Sequence, residues 1–82
     1  MLDSKNNFYT TFENEVTGKD VTGNDYVILR MLCTVTINGI QYTFDIVNQE
    51  LYKLNKTFCK KKVSEFKEYC EEKAEAMGVD IL

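Results

Sequence analysis

The 82-residue sequence contains no proline, histidine or tryptophan and only four glycines. Without histidine, no imidazole base is present to activate a cysteine or serine nucleophile, so catalysis of that kind is not expected. No apolar run approaches the ~20 residues that a membrane-spanning helix needs. The start, MLDSKNNF, has an acid at its third position and no apolar stretch behind it, which predicts that no signal peptide is present.

The sequence has three cysteines, an odd number, and none of them lies in a C-x-x-C spacing. Cys59 and Cys70 would lie about 16 Å apart along one helix, whereas a disulfide needs Cα atoms within ~7 Å. We therefore expect three reduced, mostly buried thiols in a cytoplasmic protein. No metal site, cofactor or catalytic residue is predicted, and the predicted carboxylate pairs on the helix face solvent.

The segment MLCTVTINGIQYTFDIV predicts a β-hairpin. Asn38-Gly39 is typical of a two-residue type I′ turn, because both central positions of this turn need a positive φ. Such a turn pairs Ile37 with Ile40. The alternation of apolar residues along both strands supports the same register.

A further strand is predicted upstream, in FYTTFENEV, which alternates apolar and polar side chains. Pairing Val16 with Val27 places Phe12 opposite Met31 on the buried side. The predicted sheet is therefore antiparallel, in the order 1-2-3, with the strand around residues 26–37 in the middle.

From Asn48 onward the apolar period changes from two to 3.6, which predicts a helix. Asn48 can act as its N-cap, and Gly78 fits the C′ position. One helix of about 49–77 fits the pattern, and so does a break near Asn55 with a restart capped by Thr57. The predicted fold is α+β: a single domain of residues 1–82 with β-β-β-α order, in which the three-stranded sheet packs on one long C-terminal helix.

The segment VTGKDVTGND, residues 16–25, repeats itself and invites a search for a site. It lacks the glycine spacing and the Ser/Thr after Lys of a P-loop, and its carboxylates do not follow EF-hand spacing. Two alternatives remain: a hairpin connection rich in residues that tolerate positive φ, or a protruding loop that contacts a partner.

The outer face of the predicted sheet carries apolar side chains that the single helix cannot cover, which favours an interface. The leading hypothesis is a small non-enzymatic module that binds another protein. The residues assigned to the interface are Tyr26, Ile28, Arg30, Leu32 and Val47 on the outer sheet face, Lys19, Asp20, Asn24 and Asp25 in the loop, and Glu13 and Glu15 on the first strand. A homodimer through the sheet face or an open strand edge is an alternative.

A second alternative comes from the basic segment KLNKTFCKKK, which contains no acid. Three strands followed by a helix that opens with lysines resembles the second half of a double-stranded RNA-binding domain, whose lysines contact phosphates across a groove. This resemblance implies nucleic-acid binding, although a net charge of −3 does not favour it in general. The lysines concerned are Lys53, Lys56, Lys60, Lys61 and Lys62.

The composition as a whole, rich in Lys, Asn, Glu, Tyr and Ile, resembles that of small proteins encoded by phages and mobile elements of AT-rich Gram-positive bacteria. Anti-CRISPR proteins are among them. Many such proteins are single domains without enzymatic activity that occupy a surface of a host protein. The resemblance implies an inhibitor of a host-defence or nucleic-acid enzyme.

Overall fold

The structure, a computed structural model, describes residues 9–79, with side chains from residue 10 onward. Its elements are β1 (Tyr9–Lys19), β2 (Asp25–Thr36), β3 (Gly39–Ile46), α1 (Gln49–Leu54) and α2 (Lys56–Ala76). The strands form one antiparallel sheet in the order β1-β2-β3, and the long helix α2 follows at the C-terminal end. The predicted β-β-β-α fold is confirmed.

The hairpin between β2 and β3 closes earlier than the sequence predicts. Thr36 pairs with Gly39, so the two loop residues are Ile37-Asn38, and the predicted pairing of Ile37 with Ile40 is wrong. The Asn38 amide donates to the Thr36 hydroxyl at 3.1 Å, and Gly39 adopts the positive φ of 130°. The register differs by two residues, which leaves each side chain on its predicted face because side chains alternate with a period of two.

The register between β1 and β2 also differs from the prediction, and it contains a β-bulge. Val16 pairs with Leu29, but the next residue, Thr17, pairs with Val27, which leaves Ile28 as an extra residue on β2. The bulge turns Ile28 into the core, where its side chain is 0% exposed. The prediction that Ile28 lies on the outer face of the sheet is therefore wrong.

The helical region begins and breaks at asparagines. Asn48 is the N-cap of α1, as predicted, and its side-chain oxygen accepts a hydrogen bond from the Leu51 amide at 3.0 Å. Asn55 ends α1, and its Nδ2 donates to the Leu51 carbonyl at 2.8 Å. Of the two helix alternatives the break at Asn55 is confirmed, although α2 restarts at Lys56 rather than after a Thr57 cap. Gly78, with φ of 87°, occupies the predicted C′ position.

The core lies between the sheet and α2. Buried side chains of β2 alternate along the inner face, and α2 contributes residues at helical spacing. The core residues are Val16, Ile28, Leu29, Met31, Cys33, Val35, Leu51, Cys59, Phe66, Cys70, Ala74 and Val79. All three cysteines are free and buried, as predicted. Within residues 9–79, no helix is both long enough and apolar enough to cross a bilayer.

Candidate partner-binding surface

The turn between β1 and β2 comprises residues 20–24 and is organised around the Asp20 carboxylate. Its Oδ1 accepts hydrogen bonds from the Thr22 hydroxyl at 2.7 Å, the Thr22 amide at 2.9 Å and the Asn24 amide at 3.0 Å. These bonds, the Thr22 hydroxyl first, lower the pKa of Asp20, so the carboxylate is charged at neutral pH. Gly23 takes a positive φ of 86° and completes the turn.

The strands on either side extend further than the repeat VTGKDVTGND suggests. Lys19 ends β1 and Asp25 begins β2, and their side chains form an ion pair at 2.8 Å. Residues 16–19 therefore belong to the sheet, and the connection is a short hydrogen-bonded turn rather than a long loop. Such a turn holds its backbone in a fixed conformation.

Val21 stands at the tip of this turn with its side chain fully in solvent, at 103% relative exposure. The turn is closed by hydrogen bonds of Asp20, Thr22, Gly23 and Asn24. Val21 takes part in none of these hydrogen bonds. An apolar side chain in this place contributes nothing to the fold of the isolated chain. It is available to a partner.

A second exposed apolar side chain, Leu54, ends α1 and is 80% exposed. Between the turn and α1 runs a groove of about 650 Å³, which is lined by Lys19, Asp20, Val21, Tyr26, Asn48, Glu50, Leu51, Leu54 and Asn55. Val21, Tyr26 and Leu54 supply its exposed apolar surface, and we call these three residues the tip surface. Charged side chains of Lys19, Asp20 and Glu50 form the rim.

Several residues that the sequence assigned to an interface meet at this end of the molecule. They are Lys19, Asp20, Asn24, Asp25 and Tyr26. The structure places Tyr26 beside α1 rather than on the outer sheet face, because the bulge at Ile28 changes the phase of β2. Val47, which follows β3, is exposed and lies outside this groove.

The outer face of the sheet is more polar than predicted. Arg30 donates from Nε to Glu15 Oε2 at 3.2 Å across the β1–β2 pair. Leu32 is half-buried and pairs with Glu13 on one side and Thr43 on the other. With Ile28 in the core and Tyr26 beside α1, Leu32 has no apolar neighbour among its direct cross-strand partners. The predicted apolar cluster on this face is therefore wrong.

The lysines of the basic segment are spread around the helices. Successive residues of an α-helix are rotated by about 100°, so Lys60, Lys61 and Lys62 point in three directions. Lys62 bonds to Glu65 at 3.4 Å and lies 5.4 Å from the centre of the Phe58 ring. The remaining two members of the segment's lysine set are Lys53, on α1, and Lys56, at the start of α2. Lys56 and Lys60 lie one turn apart on the same side of α2, so these two lysines share a face of the helix.

Sequence reasoning missed Val21 and Leu54. A signal for Leu54 exists, because this leucine lies outside the apolar stripe of the helical region and directly precedes the break at Asn55. An apolar residue off the stripe has no core to face. Val21 carries no such signal, since its exposure depends on the three-dimensional closure of the turn.

The thiols offer little nucleophilic chemistry. Burial raises the pKa of Cys33 and Cys59, and it raises the pKa of Cys70 to about 12. Within the described residues, no group of three or more Cys, Asp or Glu side chains is arranged to hold a metal ion. No protein-family model matches the chain, and neither a curated protein nor a solved structure is significantly similar to it.

Proposed function

We propose that the protein is a cytoplasmic, non-enzymatic module that binds a host protein through the tip surface. The observation that carries this proposal is the exposure of Val21 and Leu54 on either side of one groove, next to a turn fixed by Asp20. By covering a functional surface of its partner, the module acts as an inhibitor of a host-defence or nucleic-acid enzyme. A phage or mobile element is the expected source of such a protein.

The energetics of the tip surface support this role. Complete burial of a valine or leucine side chain contributes about 1.5–3 kcal/mol relative to exposure. Tyr26 adds a rigid aromatic ring with a polar end, a residue type enriched among the dominant contacts of interfaces. Because the turn is ordered before binding, little conformational entropy is lost when a partner covers it.

The protonation states of the thiols support a non-enzymatic role. A cysteine reacts as its thiolate, and the raised pKa values keep Cys33, Cys59 and Cys70 protonated at neutral pH. The Asp20 carboxylate, whose pKa is lowered, is occupied by the hydrogen bonds of its own turn. Binding, rather than bond making, is the use that these side chains fit.

The proposal is tested by affinity capture from a bacterial lysate, with and without nuclease, followed by mass spectrometry. The variant Val21→Ser/Leu54→Gln removes the apolar side chains without changing charge. Leu32→Lys is the control variant on the outer sheet face, and both variants are first compared with the wild type by circular dichroism. We expect a stoichiometric host protein that survives nuclease, is lost with the tip variant and is retained by Leu32→Lys.

Two outcomes would contradict the proposal. Loss of the captured protein with Leu32→Lys but not with the tip variant would return the interface to the outer sheet face. Recovery of nucleic acid that disappears with nuclease, with no protein left behind, would instead support the lysine segment as the functional surface.

A further inference from the structure

The open edge of β1 presents a defined set of backbone groups. In an antiparallel ladder, alternate residues direct both N–H and C=O to the same neighbouring strand. The Ile28 carbonyl accepts from the Val47 amide at 2.8 Å, so from the bulge to the end of β2 even-numbered residues face β3 and odd-numbered residues face β1. The odd-numbered residues of β2 pair with even-numbered residues of β1, as Cys33 pairs with Phe12.

The odd-numbered residues of β1 therefore face away from the sheet. An independent observation agrees: the Glu15 amide is turned from β2 and bonds to the side-chain oxygen of Asn14 at 2.8 Å. Thr11, Glu13 and Thr17 share this orientation. Among the described strands, β2 is the one that pairs with β1, so the opposite edge is open.

On the inner side, this edge borders a groove of about 660 Å³ between β1 and α2. Phe58 and Tyr69 of α2 line it and are each 46% exposed, and the buried Phe66 lies between them. The Tyr69 ring is fixed by an edge-to-face contact with Phe12, with ring centroids 5.7 Å apart. Apolar side chains of a strand added to β1 would enter this groove.

On the outer side, the same edge is acidic. The side chains of Glu13 and Glu15 lie on the face opposite α2, and Arg30 compensates Glu15. None of the ion pairs between described residues includes Glu13. Basic side chains of an added strand would lie beside these carboxylates.

We infer that the β1 edge binds an extended segment of a partner protein in which basic and apolar residues alternate. The segment adds a strand to the sheet, with its apolar side chains over Phe58 and Tyr69 and its basic side chains beside Glu13 and Glu15. A second copy of this chain fits less well. Antiparallel pairing of two full-length β1 strands about Asn14 sets Glu13 opposite Glu15 twice, and like charges in that position are destabilising.

This inference goes beyond the proposed function, since it concerns a different surface from the tip. The probe is a fluorescein-labelled peptide, acetyl-VKVKVKV-amide, measured by fluorescence anisotropy. A block peptide of the same composition, KKKVVVV, separates alternation from net charge. We expect the alternating peptide to bind about tenfold or more tightly than the block peptide, because the block peptide cannot place its valines on one face of a strand.

Variants at position 13 separate backbone pairing from charge. The Glu13 amide faces the open edge, so Glu13→Pro removes a donor of the edge and leaves the β1–β2 hydrogen bonds in place. We expect this variant to weaken peptide binding about tenfold, and the control Glu13→Gln to weaken it only about two- to fivefold, the size expected of one exposed ion pair. We expect the tip variant Val21→Ser/Leu54→Gln to leave peptide binding unchanged. The inference about the β1 edge is therefore tested independently of the proposal about the tip surface.

If Glu13→Pro does not fold, the binding site of the peptide is located by amide hydrogen exchange of the wild-type protein with and without the peptide. The peptide must then slow exchange at Thr11, Glu13 and Thr17 more than at the β3 edge. Equal affinity for the two peptides, equal effects of the two Glu13 variants, or protection confined to β3 would each overturn the inference. A peptide-free dimer by light scattering that Glu13→Pro dissociates would assign the edge to a second copy instead.

Discussion

The side chain of Ile28 occupies the space beside the backbone of Gly18. A Cβ atom at position 18 would lie only 2.8 Å from Ile28 Cδ1, closer than such atoms approach in folded proteins. Ile28 is the extra residue of the β2 bulge and is fully buried. The absence of a side chain at Gly18 therefore gives the bulged residue its place in the core.

This contact predicts that Gly18→Ala destabilises the protein by about 1–3 kcal/mol, the cost of overpacking a filled core. In the Ile28→Val background, which lacks Cδ1, the same substitution should cost less. Urea unfolding of the four members of this double-mutant cycle measures the coupling between the two sites. An equal loss of unfolding free energy in both backgrounds would show that the contact between positions 18 and 28 does not affect stability.

The sequence predicted the order of elements but not the alignment of the strands. Alternation has a period of two, so a shift of two residues satisfies it equally well. The observed registers differ from the predicted ones by that amount between β2 and β3 and between β1 and β2 as far as the bulge. The caps were predictable because Asn48 and Gly78 act through local chemistry. The bulge was not, because it depends on contact between Ile28 and Gly18 on another strand.

The bulge also explains why the candidate site was only partly predicted. Strict alternation along β2 places Tyr26, Ile28 and Leu32 on one face, whereas the extra residue sends Ile28 into the core and Tyr26 beside α1. The turn residues Lys19 and Asp20 were correctly located next to each other because they are close in sequence. Their proximity to Leu54 is a tertiary contact that no local pattern contains.

The buried thiols of Cys33 and Cys70 predict low reactivity of the native protein. Both side chains are fully buried, and burial raises the pKa of Cys70 from 9.0 to about 12. A rise of that size reduces the thiolate fraction about a thousandfold at pH 8. We expect iodoacetamide to alkylate no cysteine of the folded protein in an hour, and all three once urea unfolds it, as read by intact mass. Rapid alkylation without denaturant would show that the core opens.

Alkaline pH is predicted to destabilise the fold. In the unfolded chain Cys70 ionises near its ordinary pKa of 9.0, whereas the folded chain keeps the proton up to about 12. The unfolded state thus binds fewer protons between these values, and the free energy of unfolding falls as the pH rises, by up to about 1.4 kcal/mol per pH unit for one such group. Urea titrations at intervals from pH 8 to 11 should show stability that is constant below pH 9 and declines above it.

Tyr42 contributes to the loss of stability in the upper part of the same pH range. Burial, reinforced by the nearby Glu71 carboxylate, raises the pKa of Tyr42 from 10.0 to about 12. Its hydroxyl lies 3.4 Å from the Lys67 carbonyl, to which it donates. Tyr42→Phe should therefore make the decline in stability between pH 10 and 12 shallower and leave the decline that begins near pH 9. An unchanged slope above pH 10 would mean that the phenol ionises freely in the folded state.

The turn at the tip predicts a link between Asp20 and partner binding. Because the hydrogen bonds from Thr22 and Asn24 lower the pKa of Asp20, the amide resonances of these two residues should titrate below the ordinary carboxyl value of 3.8. The stabilising effect of the charged carboxylate is present above that value and is lost as the pH falls through the lowered pKa. Nuclear magnetic resonance over pH 2–6 measures both amides directly.

The variant Asp20→Ala removes the hydrogen-bond acceptor of the turn at every pH. We expect it to loosen residues 20–24 and to leave α2 intact. We also expect it to weaken capture of the partner, even though Val21 and Leu54 are unchanged. Full retention of the partner by a variant with a disordered turn would show that the fixed position of Val21 is not what the partner recognises.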